Sequence, residues 1–185
     1  MAEVDYNKLG EELEKQELDA PNGVPPAHVY EQLLTIYLLQ NDLTAAKFLW
    51  KRIPGSTKNA TPELAHIWEV GQHLWQRDLP AVYTALAHEW SPTVKDIMKA
   101  LHEHVRNRAV ELVGRAYTSI RADDFAQLVG MSVEEAVTLA QGHGWGYDEP
   151  TCMILPVPKT PQPHAPTPSE EQLRRLADYV SFLEN

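Results

Sequence analysis

The sequence predicts a mainly α chain: a helical-repeat bundle, then a winged-helix subdomain with a small β-hairpin, then one separate C-terminal helix. Three observations predict it. Apolar residues recur at helical spacing from Leu9 to Ile120. The pattern then shortens to helix, tight turn, helix and two strand-like runs, the element order of a winged helix. Finally, six of the 14 prolines fall between Pro156 and Pro168. A window that dense in proline forms neither a helix nor a central strand, because proline lacks the N–H and fixes φ. The expected boundaries are 1–105 for the bundle, 106–155 for the winged helix, 156–168 for an extended linker and 169–185 for the C-terminal helix.

Taken in order, Leu9 and Leu13 predict a weakly amphipathic first helix, and Leu33, Leu34, Tyr37 and Leu38 a stronger second one after Pro25-Pro26. Leu43, Ala46, Leu49 and Trp50 predict a third, stopped by Pro54-Gly55. Leu64, Ile67, Trp68, Gly71, Leu74 and Trp75 predict a fourth, with Thr61 as its N-cap and Pro62 in the first turn. A fifth begins at Pro80. A long sixth follows Pro92 through Val94, Ile97, Met98, Leu101 and Val105, with a break expected near Asn107 and resumption through Ile120. The segment from Gln40 to Ala46 aligns with that from Gln76 to Val82 at an offset of 36 residues, with four identities in seven positions. Stacked helical hairpins of the tetratricopeptide type show such a period. Two helix–turn–helix corners sharing one turn chemistry would give the same alignment.

After Ile120, Asp123 to Val129 predicts a short helix with Gly130 as its C-cap. Ser132-Val133-Glu134-Glu135 is a capping box opening the next helix, through Ala136, Val137 and Ala140 to Gly142–Gly144. Two short strands, Trp145–Tyr147 and Thr151–Leu155, flank an Asp148-Glu149-Pro150 turn.

Composition excludes several function classes. The chain has 185 residues, 43% of them apolar, which suffices for a core. Its 16 Lys+Arg against 26 Asp+Glu give a formal net charge of −10, which repels polyphosphate and anionic membrane surfaces. No apolar run approaches the ~18–20 residues of a membrane span, and Met1–Leu18 is acidic where a secretory signal would be cationic and then apolar. The lone Cys152 has no partner for an internal disulfide, which fits a reducing compartment.

Each chemical motif weakens on inspection. A DNA-reading winged helix would place Ser132–Gln141 in the major groove, yet that helix carries Glu134 and Glu135 and no Lys or Arg. His102 and His104 point roughly 200° apart on a helix and cannot share an ion. His66 and His73 lie seven residues apart, without the i, i+4 pairing and nearby Glu that a helical zinc site uses. Cys152 has no nearby base to lower its pKa, so it reads as a structural thiol. No Gly-x-Ser-x-Gly and no phosphate-cradling glycine loop is present. The five tryptophans read as core anchors. The expectation is therefore no catalytic residue, no metal, no cofactor and no small-molecule substrate.

The tail is more informative. Ser169-Glu170-Glu171-Gln172 is a second capping box, and Leu173, Leu176, Ala177, Val180 and Leu183 form one apolar stripe, with Tyr179 beside it. A helix this short is marginal alone in water. Burying its four large aliphatics is worth roughly 1.5–3 kcal/mol each, on the order of 6–12 kcal/mol gross. The linker reaches roughly 40 Å at ~3.1 Å per residue. Two covers are open: the chain's own helical unit, or a bundle made with other chains. The protein-interaction candidates are thus Leu173, Leu176, Tyr179, Val180 and Leu183 on the tail, and Met153, Ile154 and Leu155 on the last strand, through backbone pairing.

Several longer motifs then carry a resemblance. Leu49-Trp50-Lys51-Arg52-Ile53-Pro54, Trp75-Gln76-Arg77-Asp78, Ala116-Tyr117-Thr118-Ser119-Ile120, Ala122-Asp123-Asp124-Phe125, Val133-Glu134-Glu135-Ala136-Val137 and the closing run from Asp178 to Asn185 together resemble the small PCI-domain subunits of the COP-nine signalosome. The likeness covers about Leu9 to Asn185. A more distant one is to the small PCI subunits of the proteasome lid and of translation initiation factor three. The compact Pro156–Pro168 linker departs from the family pattern. The resemblance implies a PCI module, helical repeats followed by a winged helix. It implies partner PCI subunits joined through winged-helix edges and a bundle of C-terminal helices. It further implies a scaffold role in removing Nedd8 from cullins, in cytoplasm and nucleus. Catalysis would belong to another subunit with a strand-borne His-x-His and a following Asp, which His102 and His104 do not match. The alternatives are a small PCI subunit of the other two complexes, or a winged-helix nucleic-acid binder.

Overall fold

The computed structural model describes residues 6–21, 24–157 and 169–184. The linker expected at 156–168 lies outside the described residues apart from Pro156 and Val157. The elements run α1 (Tyr6–Leu18), α2 (Ala27–Leu39), α3 (Leu43–Arg52), α4 (Gly55–Ala60), α5 (Pro62–Gln76), α6 (Leu79–Leu86), α7 (Lys95–Ala116), β1 (Ile120–Arg121), α8 (Ala122–Val129), α9 (Val133–Gly142), β2 (Gly146–Asp148), β3 (Met153–Leu155) and α10 (Ser169–Glu184). The mainly helical class with one small sheet is as expected.

The bundle is built around α2. Its apolar residues occupy almost every direction, and Tyr30, Leu33, Leu34, Ile36 and Leu38 are each fully buried. Accordingly α2 packs against α1, α3, α5 and α7. Leu49, Leu64, Ile67, Val70, Val82 and Leu101 close the same core.

The aligned segments at Asn41 and Arg77 build the same corner twice. Each of these two residues is left-handed, with φ 59° and 61°. The amide of Asp42 donates to the Tyr37 carbonyl at 2.9 Å, and that of Asp78 to the His73 carbonyl at 3.0 Å. These are the 6→1 bonds of a Schellman turn. Each aspartate then caps the next helix: Asp42 accepts from the Ala45 amide and Asp78 from the Ala81 amide. One three-residue corner therefore ends one helix and starts another, in α2–α3 and in α5–α6. By contrast Thr61 stands at the N-cap of α5 but its side chain makes no capping bond.

The break expected near Asn107 does not occur. α7 is one helix of 22 residues, about 33 Å long at 1.5 Å per residue. Its buried positions pass from Val105 to Ala109 without a phase slip, and an exposed Asn costs a helix only a few tenths of a kcal/mol. The expected continuation to Ile120 also fails. α7 ends at Ala116, and Ile120 turns inward in β1. Two elements were not expected. α4 buries no residue and so has no apolar period to read, and β1 is only two residues long.

α7 serves two cores. Ile97, Met98, Leu101 and Val105 belong to the bundle. Ala109, Val110 and Val113 belong to a second cluster with Phe125, Val129, Ala136, Ala140, Trp145 and Ile154. The expected boundary between residues 105 and 106 thus falls inside one helix. Tyr83 of α6 bridges the two halves. Its hydroxyl donates to the Leu128 carbonyl at 3.2 Å, and Arg106 Nε donates to the Val129 carbonyl at 3.2 Å. Burial pushes the Tyr83 phenol up to about 12. Gly130, at φ 63°, lies directly under that ring, where a Cβ would sit 2.4 Å from Tyr83 Cδ2.

Candidate protein interface

Among the described residues, six of the large apolar side chains left exposed lie on the tail helix: Leu173, Leu176, Tyr179, Val180, Phe182 and Leu183. Every described side chain from Leu173 to Glu184 is exposed. Leu176 is 60% exposed, Val180 52% and Leu183 80%. Tyr179 lies on the flank of the stripe, and Phe182, also exposed, lies beyond it on the far side of the helix. Phe182 was not among the sequence candidates, although it follows Tyr179 at i+3. Among the described residues, no element covers this face.

The sheet corrects part of the strand expectation. Its order is β1-β3-β2, with both pairings antiparallel. β3, holding Met153, Ile154 and Leu155, is the central strand. Ile154 stands opposite both Ile120 and Tyr147. Its side chain is fully buried in the second core, and Met153 is half-buried. The backbone of β3 therefore has no free edge to offer another chain, and of the three residues only Leu155 presents an exposed side chain. The open edges belong to β1 and to β2, Gly146–Asp148. The sequence reading missed this because β1 pairs with a strand more than thirty residues away.

Local caps hold these elements in place. Ser132 accepts from the Glu135 amide, and Glu135 Oε2 accepts from the Ser132 amide at 3.1 Å, so the capping box is complete. The Ser132 hydroxyl, donating to Glu135 Oε2 at 2.8 Å, and then the Ser132 amide hold the Glu135 carboxyl below its ordinary value. Trp145 lies against Gly114 of α7, where a Cβ would come within 3.1 Å of its ring, and 5.5 Å from the Phe125 ring centroid. β2 is thereby held against the end of α7.

The polar candidates stay dispersed. His102 packs its ring edge-on to Tyr83 at 5.5 Å, while His104 is exposed on another side of α7. Burial, with Arg106 adding to it, lowers the His102 pKa. Among the described residues, no three His, Cys, Asp or Glu side chains gather to hold a metal ion. The Cys152 thiol is exposed and donates to the Glu149 carbonyl within its own turn. No described helix is long and apolar enough to cross a membrane.

Comparison with known proteins agrees with this architecture. The model of the CSN8/PSMD8/EIF3K family matches residues 26–165. A Danio rerio protein named COP9 signalosome complex subunit 8 is 53% identical, the alignment covering 100% of this chain and 97% of that protein. The protein of the same name from Arabidopsis thaliana is 34% identical over 80% of this chain and 76% of its own length. That from Drosophila melanogaster is 30% identical over 97% of each. A helical bundle ending in a small antiparallel sheet, matched over its length by these sequences, places the chain in the CSN8/PSMD8/EIF3K family.

Proposed function

We propose that this chain is a non-catalytic scaffold subunit of a COP9-signalosome-type complex, and that it supports removal of Nedd8 from cullins by helping to hold that complex together. The unit β1–α8–α9–β2–β3 is read as a winged helix whose outer strand edges pair with neighbouring PCI subunits. α10 is read as one member of a helical bundle made with other chains. The observation that carries this reading is the uncovered stripe of α10: Leu173, Leu176, Val180 and Leu183 face water in the single chain. Partner helices would relieve that exposure, worth on the order of 6–12 kcal/mol gross. The exposed Glu134 and Glu135 on α9 oppose a phosphate backbone, which disfavours the nucleic-acid alternative. Cytoplasm and nucleus are the compartments this reading assigns.

Deleting Ser169–Asn185 tests it. The truncated chain is expected to remain a folded monomer and to stop co-purifying with other subunits. The intact chain is expected in a particle many times its own 20.9 kDa. Undiminished co-purification of the truncated chain, or its unfolding, would refute the reading.

A further inference from the structure

A second surface lies on α3, α4 and α5, away from the tail and the sheet. Between Asp42 and Glu63 the chain carries Lys47, Lys51, Arg52 and Lys58 and no carboxylate, in a molecule of net charge −10. Arg52 is neutralised: its Nε and Nη2 each donate to the Glu17 carboxylate at 2.7 Å. Among the described residues no ion pair engages Lys47 or Lys58. Each ammonium stands instead over an indole face. Lys47 Nζ is 4.7 Å from the Trp75 ring centroid, and Lys58 Nζ is 4.5 Å from that of Trp50. Trp50 in turn stacks on Trp68, with centroids 5.5 Å apart and planes within 7°. Lys47 meets Trp75 while Trp50 meets Trp68, so α3 and α5 run antiparallel here and the contacts line up as a ladder. Trp75 remains 52% exposed.

This is not the pattern of a solvated lysine face. The indoles hold two ammoniums close to an apolar strip without consuming their charge, and each ammonium keeps N–H donors for another acceptor. We propose that the α3–α5 strip docks an acidic segment of another polypeptide, one that carries aromatic or aliphatic side chains among its carboxylates. Charge complementarity selects that occupant. An acidic segment is repelled by most of this acidic chain and is steered to the stretch between Asp42 and Glu63, which carries Lys47, Lys51 and Lys58 and no carboxylate. The exposed Trp75, beside Lys47, accepts an apolar side chain of that segment. Single-stranded nucleic acid uses similar aromatic and cationic groups, but a polyphosphate meets the repulsion of the whole molecule over a longer range. The inference rests on the subunit reading above and adds a second contact of defined chemistry.

The test uses the complex purified through a tag on the full chain. Lysine acetylation rates are compared between complex and free chain, and zero-length carbodiimide coupling is mapped by mass spectrometry. Lys47 and Lys58 are expected to react at least fivefold more slowly in the complex. Each is expected to couple to carboxylates of one and the same segment of a partner polypeptide, and the single variant K47E to reduce both the coupling and the protection of Lys58. Equal acetylation rates in the two states would overturn the proposal. So would coupling confined to this chain's own carboxylates, or protection that nuclease treatment removes. If deleting Ser169–Asn185 abolishes co-purification while Lys47 and Lys58 react equally in complex and free chain, this inference fails and the subunit reading stands. A chain that purifies alone sinks both.

Discussion

Leu176→Asp separates folding from assembly. Leu176 sits at the centre of the α10 stripe and is 60% exposed, and no described side chain of the helix from Leu173 onward is covered by the body. In the free chain the substitution therefore exchanges one solvated side chain for another. Such changes lie within about ±0.5 kcal/mol, which moves the melting temperature of a chain this size by no more than about 2 °C. In the assembled state the same side chain would be enclosed by partner helices. Losing its burial costs about 1.5–3 kcal/mol, and enclosing a carboxylate without a partner adds at least about 1–3 kcal/mol more. The sum, roughly 3–6 kcal/mol, weakens association by about two to four powers of ten. The assay is thermal unfolding of the free chain beside quantitative co-purification of the tagged chain. Asp178→Lys, off the stripe on the same helix, is the control for charge and is expected to leave assembly nearly unchanged. Melting lowered by several degrees in the Leu176→Asp free chain would mean that the helix is seated on its own body. Equal effects of the two substitutions on assembly would remove the stripe from the argument.

Two further predictions concern the body. Gly130→Ala forces a left-handed residue at φ 63° and drives a Cβ into the Tyr83 ring, so a loss of about 2–5 kcal/mol is expected in urea unfolding. Gly142→Ala, with open space around its Cβ position, is the matched control, and a loss at Gly130 no larger than at Gly142 would show that the ring contact is unimportant. At Glu31, burial and then the nearby Glu63 raise the carboxyl pKa, with His28 opposing. A raised folded-state value means that this group favours folding below its unfolded pKa and that the contribution is lost as pH rises through the folded value. Glu31→Gln is therefore expected to raise the melting temperature at about pH 7 and to give no gain near pH 3.5. A lower melting temperature at neutral pH would reverse the assignment.

How much of this was legible in the sequence depends on how local each interaction is. The corners at Asp42 and Asp78 were readable because an aspartate N-cap acts within three residues. The left-handed Arg77 was not, since arginine has no preference for that conformation and is held there by the bonds of the turn around it. Asn107 suggested a break only because asparagine often punctuates helices, and the packing of Val105 and Ala109 overrides that preference. The α10 stripe was readable from spacing alone. The centrality of β3 was not, because it depends on a two-residue strand that becomes one only by pairing with Met153 and Ile154. The ladder on α3 and α5 was hidden in a similar way. Trp50, Trp68 and Trp75 read as core anchors; the antiparallel packing of α3 and α5 brings Lys47 onto Trp75, and the turn into α4 brings Lys58 onto Trp50.

The undivided α7 has a practical consequence for anyone who wishes to dissect the molecule. Cutting the gene at codon 105 would give two products, each with half a helix and a bare apolar flank, and both should be insoluble. Recombinant fragments should instead carry Lys95–Ala116 whole. In calorimetry the intact body should melt in a single peak, because neither half can let go of that shared spine without exposing the other.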